Sequence, residues 1–224
     1  MPLKRHYPDI RFSGNLVTPD EIDRYEQYQV INPAVSATFF GSATAGTVSE
    51  AVTVGLGNTV ADYPRNVALV FSGSASVSGT ATVTGKNQFG ASISETIGQA
   101  QGTQEAAVVD GTSIFAEISA CSVAMGTGVS GTGTVSLGVG TTEAKVKFGL
   151  PTKLGAVSDV KAITWTTEAG IPTVLNGGTV ASTDYVDLTN YAIIGSAALD
   201  GTTTYSVLFK TSYVAESLAK MANL

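Results

Sequence analysis

The sequence predicts an all-β protein: an antiparallel β-sandwich, Ig-like or jelly-roll-like, with an extended N-terminal arm carrying a short helix and with a short C-terminal helix. Three observations predict it. Ser, Thr and Gly supply 21, 29 and 25 of the 224 residues, a composition that suits pleated sheets and turns better than helices. Short segments of period-two alternation recur between glycine-rich turns. Hydrophobic residues still make up 43% of the chain, enough for a real core, while only 13% of side chains are charged where about a quarter is usual.

The first 26 residues hold 9 of the 30 charges, so the head of the chain differs from the rest. Within it, Thr18-Pro19-Asp20-Glu21 reads as a capping box with Pro at the first helical position, which predicts a short helix over about 19–29. Its apolar stripe, Ile22 and Tyr25 with Tyr28 beside it, is thin and aromatic. Residues 1–60 read as the arm, with one strand expected near Val48–Val54 and a single strongly apolar pair, Phe39-Phe40.

Residues 61–213 carry the sandwich. Val67–Phe71 is an apolar strand, and Ala81–Thr84 and Ser92–Ile97 alternate on either side of Gly85-Lys86-Asn87-Gln88-Phe89-Gly90, a hairpin with a long loop. Asp110-Gly111 is a turn dipeptide of the kind that tolerates positive φ. Ile114–Met125, Thr132–Val139, Ala144–Phe148, Val160–Trp165, Tyr185–Leu188 and Thr203–Phe209 continue the strand series, and the glycine-rich stretch near 126–133 is the candidate inner boundary, leaving one or two β domains open. Residues 214–224 place Val214, Leu218 and Met221 at helical spacing and read as a C-terminal helix.

Chemistry is sparse. Cys121 is alone, so neither an intrachain disulfide nor a cysteine zinc site can form; His6 is the only imidazole, which removes Ser-His-Asp and Cys-His arrangements. Gly126-Thr127-Gly128-Val129-Ser130-Gly131 spells a dinucleotide fingerprint, but a strand pattern follows where a helix must receive the pyrophosphate. The carboxylate pairs Asp184/Asp187 and Glu95/Glu117 read as solvated outer-face charges rather than glycosidase acids. Lys145 and Lys147 share a strand face and read as edge protection, with Lys153 and Lys161 nearby. A net charge of −6 gives no field for a phosphate backbone, and no apolar run is long enough for a signal peptide or membrane span. The expectation is a protein made in the cytoplasm, without catalytic function, cofactor, metal, nucleic-acid or membrane partner. Tyr25, Tyr28, Phe39 and Phe40 are the expected contacts to a partner, since adjacent phenylalanines in a small-residue arm read as anchors.

Asp62-Tyr63-Pro64-Arg65-Asn66-Val67, Val83–Gly90, Glu95-Thr96-Ile97, Phe115–Ser119, Phe148-Gly149-Leu150-Pro151 and Asp200–Val207 occur in an order that resembles a recurrent module of tailed-bacteriophage virion structural proteins. The resemblance covers about 62–213 and implies a capsid decoration, or cement, protein on the surface of a phage head. It further implies a homo-oligomer, with a trimer favoured, bound to the major capsid protein. A tail tube or baseplate component is the alternative, and a carbohydrate-binding sandwich of a phage appendage the second.

Overall fold

The structure is a computed structural model that describes residues 24–31, 36–44, 51–73, 79–99, 107–126, 133–139, 146–166, 172–174, 185–195 and 202–211. In chain order its strands are β1 (Arg24–Ile31), β2 (Gly41–Thr44), β3 (Ala51–Thr53), β4 (Gly55–Leu56), β5 (Val60–Arg65), β6 (Ala68–Gly73), β7 (Gly79–Lys86), β8 (Ser92–Gln99) and β9 (Ala107–Asp110). They continue with β10 (Phe115–Met125), β11 (Gly133–Gly138), β12 (Lys147–Gly149), β13 (Val160–Thr166), β14 (Pro172–Val174), β15 (Val186–Asp187), β16 (Ala192–Ile194) and β17 (Thr204–Thr211). Every pairing among them is antiparallel, as the alternating pattern predicts.

Three sheets result, ordered β1-β17-β13-β14, β15-β16-β12-β5-β10-β7-β8 with β3 also on β10, and β4-β2-β11-β6-β9. The long strand β10 organises the middle sheet. Along one edge it pairs with β7, and along the other with β5 near Phe115 and with β3 near Val123. Alternation decides what each strand buries: on β7, Ala81 and Val83 point inward while Thr80 and Thr82 point to solvent.

Two cores lie against the shared middle sheet. In the first, Ala81, Val83, Ile118, Cys121 and Val123 meet Leu69, Phe71, Val135 and Leu137 of the five-stranded sheet. In the second, Phe148, Leu150, Val186 and Ile193 meet Val30, Ile163, Tyr205, Val207 and Phe209 of the four-stranded sheet. Each large side chain so buried contributes roughly 1.5–3 kcal/mol relative to exposure.

The helix expected over 19–29 is corrected by the structure. Arg24–Ile31 is the strand β1, paired with β17 in eight consecutive register positions. Tyr28 and Val30 face the core while Gln27, Gln29 and Ile31 face out, a period of two that the local capping signal obscured. Pairing with β17 and burial of Val30 outweigh a capping preference worth about 1 kcal/mol. The segment expected as an arm therefore contributes four strands, β1 to β4, to the sheets. Positions 19–23, 127–132 of the glycine-rich stretch and the helix expected over 214–224 lie outside the described residues.

Asp110-Gly111 is not a hairpin turn. β9 belongs to the five-stranded sheet and β10 to the middle one, so 111–114 is a crossover between them. Gly111 has no positive φ; a Cβ there would lie 2.6 Å from Glu95 Oε2, so the Glu95 carboxylate would have to shift to admit one. Lys147 does not protect an edge either, since β12 has β16 on one side and β5 on the other.

Candidate functional site

The middle sheet places two hairpin tips side by side, and the candidate site lies between them. The first tip joins β7 to β8. Asn87 Oδ1 accepts from the Phe89 and Ala91 amides, both at 3.0 Å, and Gly90 takes φ +78°, a conformation glycine adopts without strain. The second tip joins β15 to β16. Asp187 Oδ1 accepts from the Thr189 and Asn190 amides at 3.0 and 3.1 Å, and Tyr191 takes φ +50°. Gln88 Nε2 donates to the Asn190 carbonyl at 2.8 Å and so links the tips.

Between them lies a cavity of about 90 Å³. Phe89 and Tyr191 form an edge-to-face pair with centroids 5.7 Å apart, and Lys153 Nζ stands 5.4 Å over the Phe89 ring. Ile93 and Ile114 supply apolar lining, and Ser113 and Thr189 supply hydroxyls. None of the lining residues is charged.

The carboxylates nearby are committed to structure. Glu95 accepts from the Thr112 amide and hydroxyl at 2.6 and 2.8 Å and from the Ser113 amide at 3.1 Å, which anchors the crossover after β9. Glu117 pairs with Lys86 at 2.8 Å. Asp187 Oδ2 accepts from Lys147 at 2.6 Å and from Asn190 Nδ2 at 2.9 Å. Burial acts to raise the Asp187 carboxyl, but the hydrogen bonds from Asn190 and Lys147 outweigh it and hold the carboxyl below its ordinary value. Asp184 lies outside the described residues. Glu95 and Glu117 are thus each engaged by a separate set of donors. Glu95, read from sequence as a solvated charge, also anchors the crossover, a role that no sequence signal near it announces because its partners are the backbone amides of Thr112 and Ser113.

A second polar cluster joins the two cores. Arg65 stands in register with Phe115 of β10 on one side and Phe148 of β12 on the other. Its side chain is wholly buried, stacks 4.7 Å from the Phe39 ring centroid and reaches Asp62 at 2.8 Å. That approach is an ion pair by distance without hydrogen-bond alignment, so the guanidinium donates no hydrogen bond among the described residues. Burial pulls Arg65 down to about 10, with Asp62 opposing. Next to it, Asn66 donates to the Gly111 carbonyl at 2.9 Å and accepts from the Lys147 amide at 2.8 Å, tying the crossover to β12.

The expected contact residues divide between the two cores, with Phe39 and Phe40 at the first and Tyr28 against the second. Phe40 has 0% exposure within the first core, so in this conformation it is spent on the chain's own packing rather than presented to a neighbour. Phe39 packs edge-on to it at 4.8 Å and is partly buried. Tyr28 packs against the second core, where burial and the neighbouring Tyr63 push its phenol above the ordinary value. Tyr25 stands opposite Lys210 in the β1–β17 ladder. Among the described residues there is no cluster of His, Cys, Asp or Glu able to hold a metal and no helix long and apolar enough to cross a membrane.

No family model matches the chain, and no curated protein matches it. Among solved structures, infectious bursal disease virus Gx strain is similar at 12% identity and a TM-score of 0.28, covering 100% of this chain and 49% of that one. The Gt strain of the same virus is similar at 10% identity and a TM-score of 0.26, covering 100% of this chain and 53% of that one. The chain thus spans about half the length of these neighbours, and values this low do not establish a common fold.

Proposed function

We propose that the chain is a structural protein of a virion, of the type that decorates a capsid surface as a homo-oligomer, with a trimer favoured, bound to the major capsid protein. The observation that supports this reading is where the residues resembling the phage virion module fall. Asp62, Arg65 and Asn66 form the joint between the cores, Asn87 to Gly90 form a locked hairpin tip, Glu95 anchors the crossover, and Phe148 and Leu150 build the second core. They are the framework of a module, and each described carboxylate among them is engaged within the chain. Such a framework suits assembly, where several modest contacts made by a symmetric oligomer sum to a firm attachment.

The test is co-sedimentation of the purified full-length chain with heads assembled from the cognate major capsid protein, together with its mass in solution. Saturable binding to the head surface by an oligomer is expected. Protein that stays in the supernatant, or that polymerises alone into rings and tubes, overturns the decoration reading, and the second of these outcomes favours the tail.

A further inference from the structure

We propose that Lys147 and Asn190 are the two ends of an intramolecular isopeptide bond, an amide that the chain forms on itself with Asp187 as the proton carrier. The inference does not rest on the virion reading; it rests on three side chains that meet at one oxygen.

The meeting point is Asp187 Oδ2. Lys147 Nζ approaches it at 2.6 Å from β12, and Asn190 Nδ2 donates to it at 2.9 Å from the tip that follows β15. An ionised carboxylate only accepts, so the Asn190 atom in contact is the amide nitrogen, the group that would leave. Both distances lie inside the reach of ~2.6–3.2 Å within which a side chain takes up or hands over a proton. One oxygen therefore touches both the nucleophile that must lose protons and the leaving group that must gain them.

The surrounding fold holds the three in place. The Lys147 amide donates to Asn66 Oδ1 at 2.8 Å, and β12 is paired on both sides. The Asn190 amide donates to Asp187 Oδ1 at 3.1 Å, and the Asn190 carbonyl accepts from Gln88 Nε2 at 2.8 Å. The Lys147 side chain is 18% exposed and that of Asp187 12%, so little water competes for the transferred proton. The gap that must still close runs from Nζ to Asn190 Cγ, one bond beyond Nδ2, and the flexible four-carbon stem of lysine supplies that movement.

The reaction balances without an outside reagent. Asp187 rests as a carboxylate, held so by the hydrogen bonds from Asn190 and Lys147, and takes a proton from the Lys147 ammonium. The neutral amine adds to Asn190 Cγ; the Nζ–Cγ bond forms and the carbonyl π pair moves onto Oδ1. When that pair returns, the Cγ–Nδ2 bond breaks and its electrons leave with Nδ2. Two of the three Nζ protons pass to Nδ2 by way of Oδ2, so the nitrogen departs as ammonium and Asp187 is a carboxylate again. Nothing is oxidised or reduced, and one amide replaces another.

Such a bond ties β12 to the tip beyond β15, the two-residue strand that ends the middle sheet. It closes a loop as a disulfide would, in a chain whose one cysteine, Cys121, is free and buried.

The experiment is intact-mass and tryptic-peptide analysis of the purified full-length chain, held at neutral pH and sampled over days. The expected result is a mass lower by one ammonia and a branched peptide in which trypsin leaves Lys147 uncut because it is joined to Asn190. Lys147→Arg, which keeps the positive charge, and Asp187→Asn, which keeps the size, should retain the full mass and give no branched peptide, with circular dichroism confirming their strand content. The proposal is overturned if the unsubstituted chain yields no branched peptide, or if ammonia is lost while trypsin still cuts at Lys147, the sign of Asn190 cyclising onto its own backbone. It is equally overturned if Asp187→Asn forms the bond at an unchanged rate. The first two readings need only the unsubstituted chain, so a variant that fails to fold leaves the test decisive.

Discussion

The Arg65 guanidinium lies 4.7 Å from the centroid of the Phe39 ring, inside the protein, at the one strand position that faces both Phe115 and Phe148. A cation in that place is tolerated because the ring face and Asp62 offset part of its desolvation. The pairing also fastens the segment before β2, to which Phe39 belongs, onto the joint between the two cores.

Removing the partner is therefore worse than removing the charge. Asp62→Asn leaves a buried cation with only the ring to face and should cost about 2 kcal/mol, below the 3–5 typical of wholly buried pairs because Asp62 is 36% exposed. Arg65→Met, which fills similar space without charge, should cost less than Asp62→Asn. Urea denaturation of both variants and of the double variant checks the order; a larger loss for Arg65→Met would contradict it.

Strand β1 makes a prediction that a helix would not. Val30 is wholly buried and Ile31 is 49% exposed, so Val30→Ala should cost about 2 kcal/mol and Ile31→Ala less than about 0.5. Thermal melts of the two variants are sufficient, and similar losses at both positions would speak against the register. A truncation of residues 1–40 should accordingly unfold the second core, since it removes β1 together with Val30.

At the crossover, Glu95→Ala deprives the Thr112 and Ser113 amides of their acceptor and should cost about 2 kcal/mol, the scale of a charged hydrogen-bond acceptor lost. Gly111→Ala pushes on the same carboxylate, so the double variant should be less destabilised than the sum of the two. Chemical denaturation of the full cycle reads the coupling.

Stability should fall at both ends of the pH scale for different reasons. The Asp187 carboxyl is held below its unfolded value, so its contribution is present above pH 3.8 and is lost as pH falls through the folded value. Burial raises the Cys121 thiol from 9.0 to about 11, so the unfolded chain ionises first and stability is lost as pH rises across that window. Asp187→Asn should flatten the acid limb and Cys121→Ala the alkaline limb, measured as denaturation midpoint against pH.

The strands with strict alternation, such as β7 with Ala81 and Val83, were legible in the sequence because one buried face imposes the period directly. β1 was not, because Thr18-Pro19-Asp20-Glu21 is a strong local helix signal and the partner that overrides it, β17, lies at the far end of the chain. The joint escaped for a related reason. Arg65 and Asn66 look like ordinary surface residues until β10 and β12 close around them. The cleft was half visible: Asn87 and Gly90 announce a turn, but nothing near them points to Thr189 and Tyr191.

The pairing of β1 with β17 also sets an order of events on the ribosome. The first core draws on residues between Phe39 and Leu137 and can close while the rest of the chain is still being made. The second cannot, because Val30 has no sheet to join until Thr204–Thr211 has emerged. From its own emergence until that of β17, β1 lacks this sheet partner, and in that interval its open edge favours pairing with another copy of the chain.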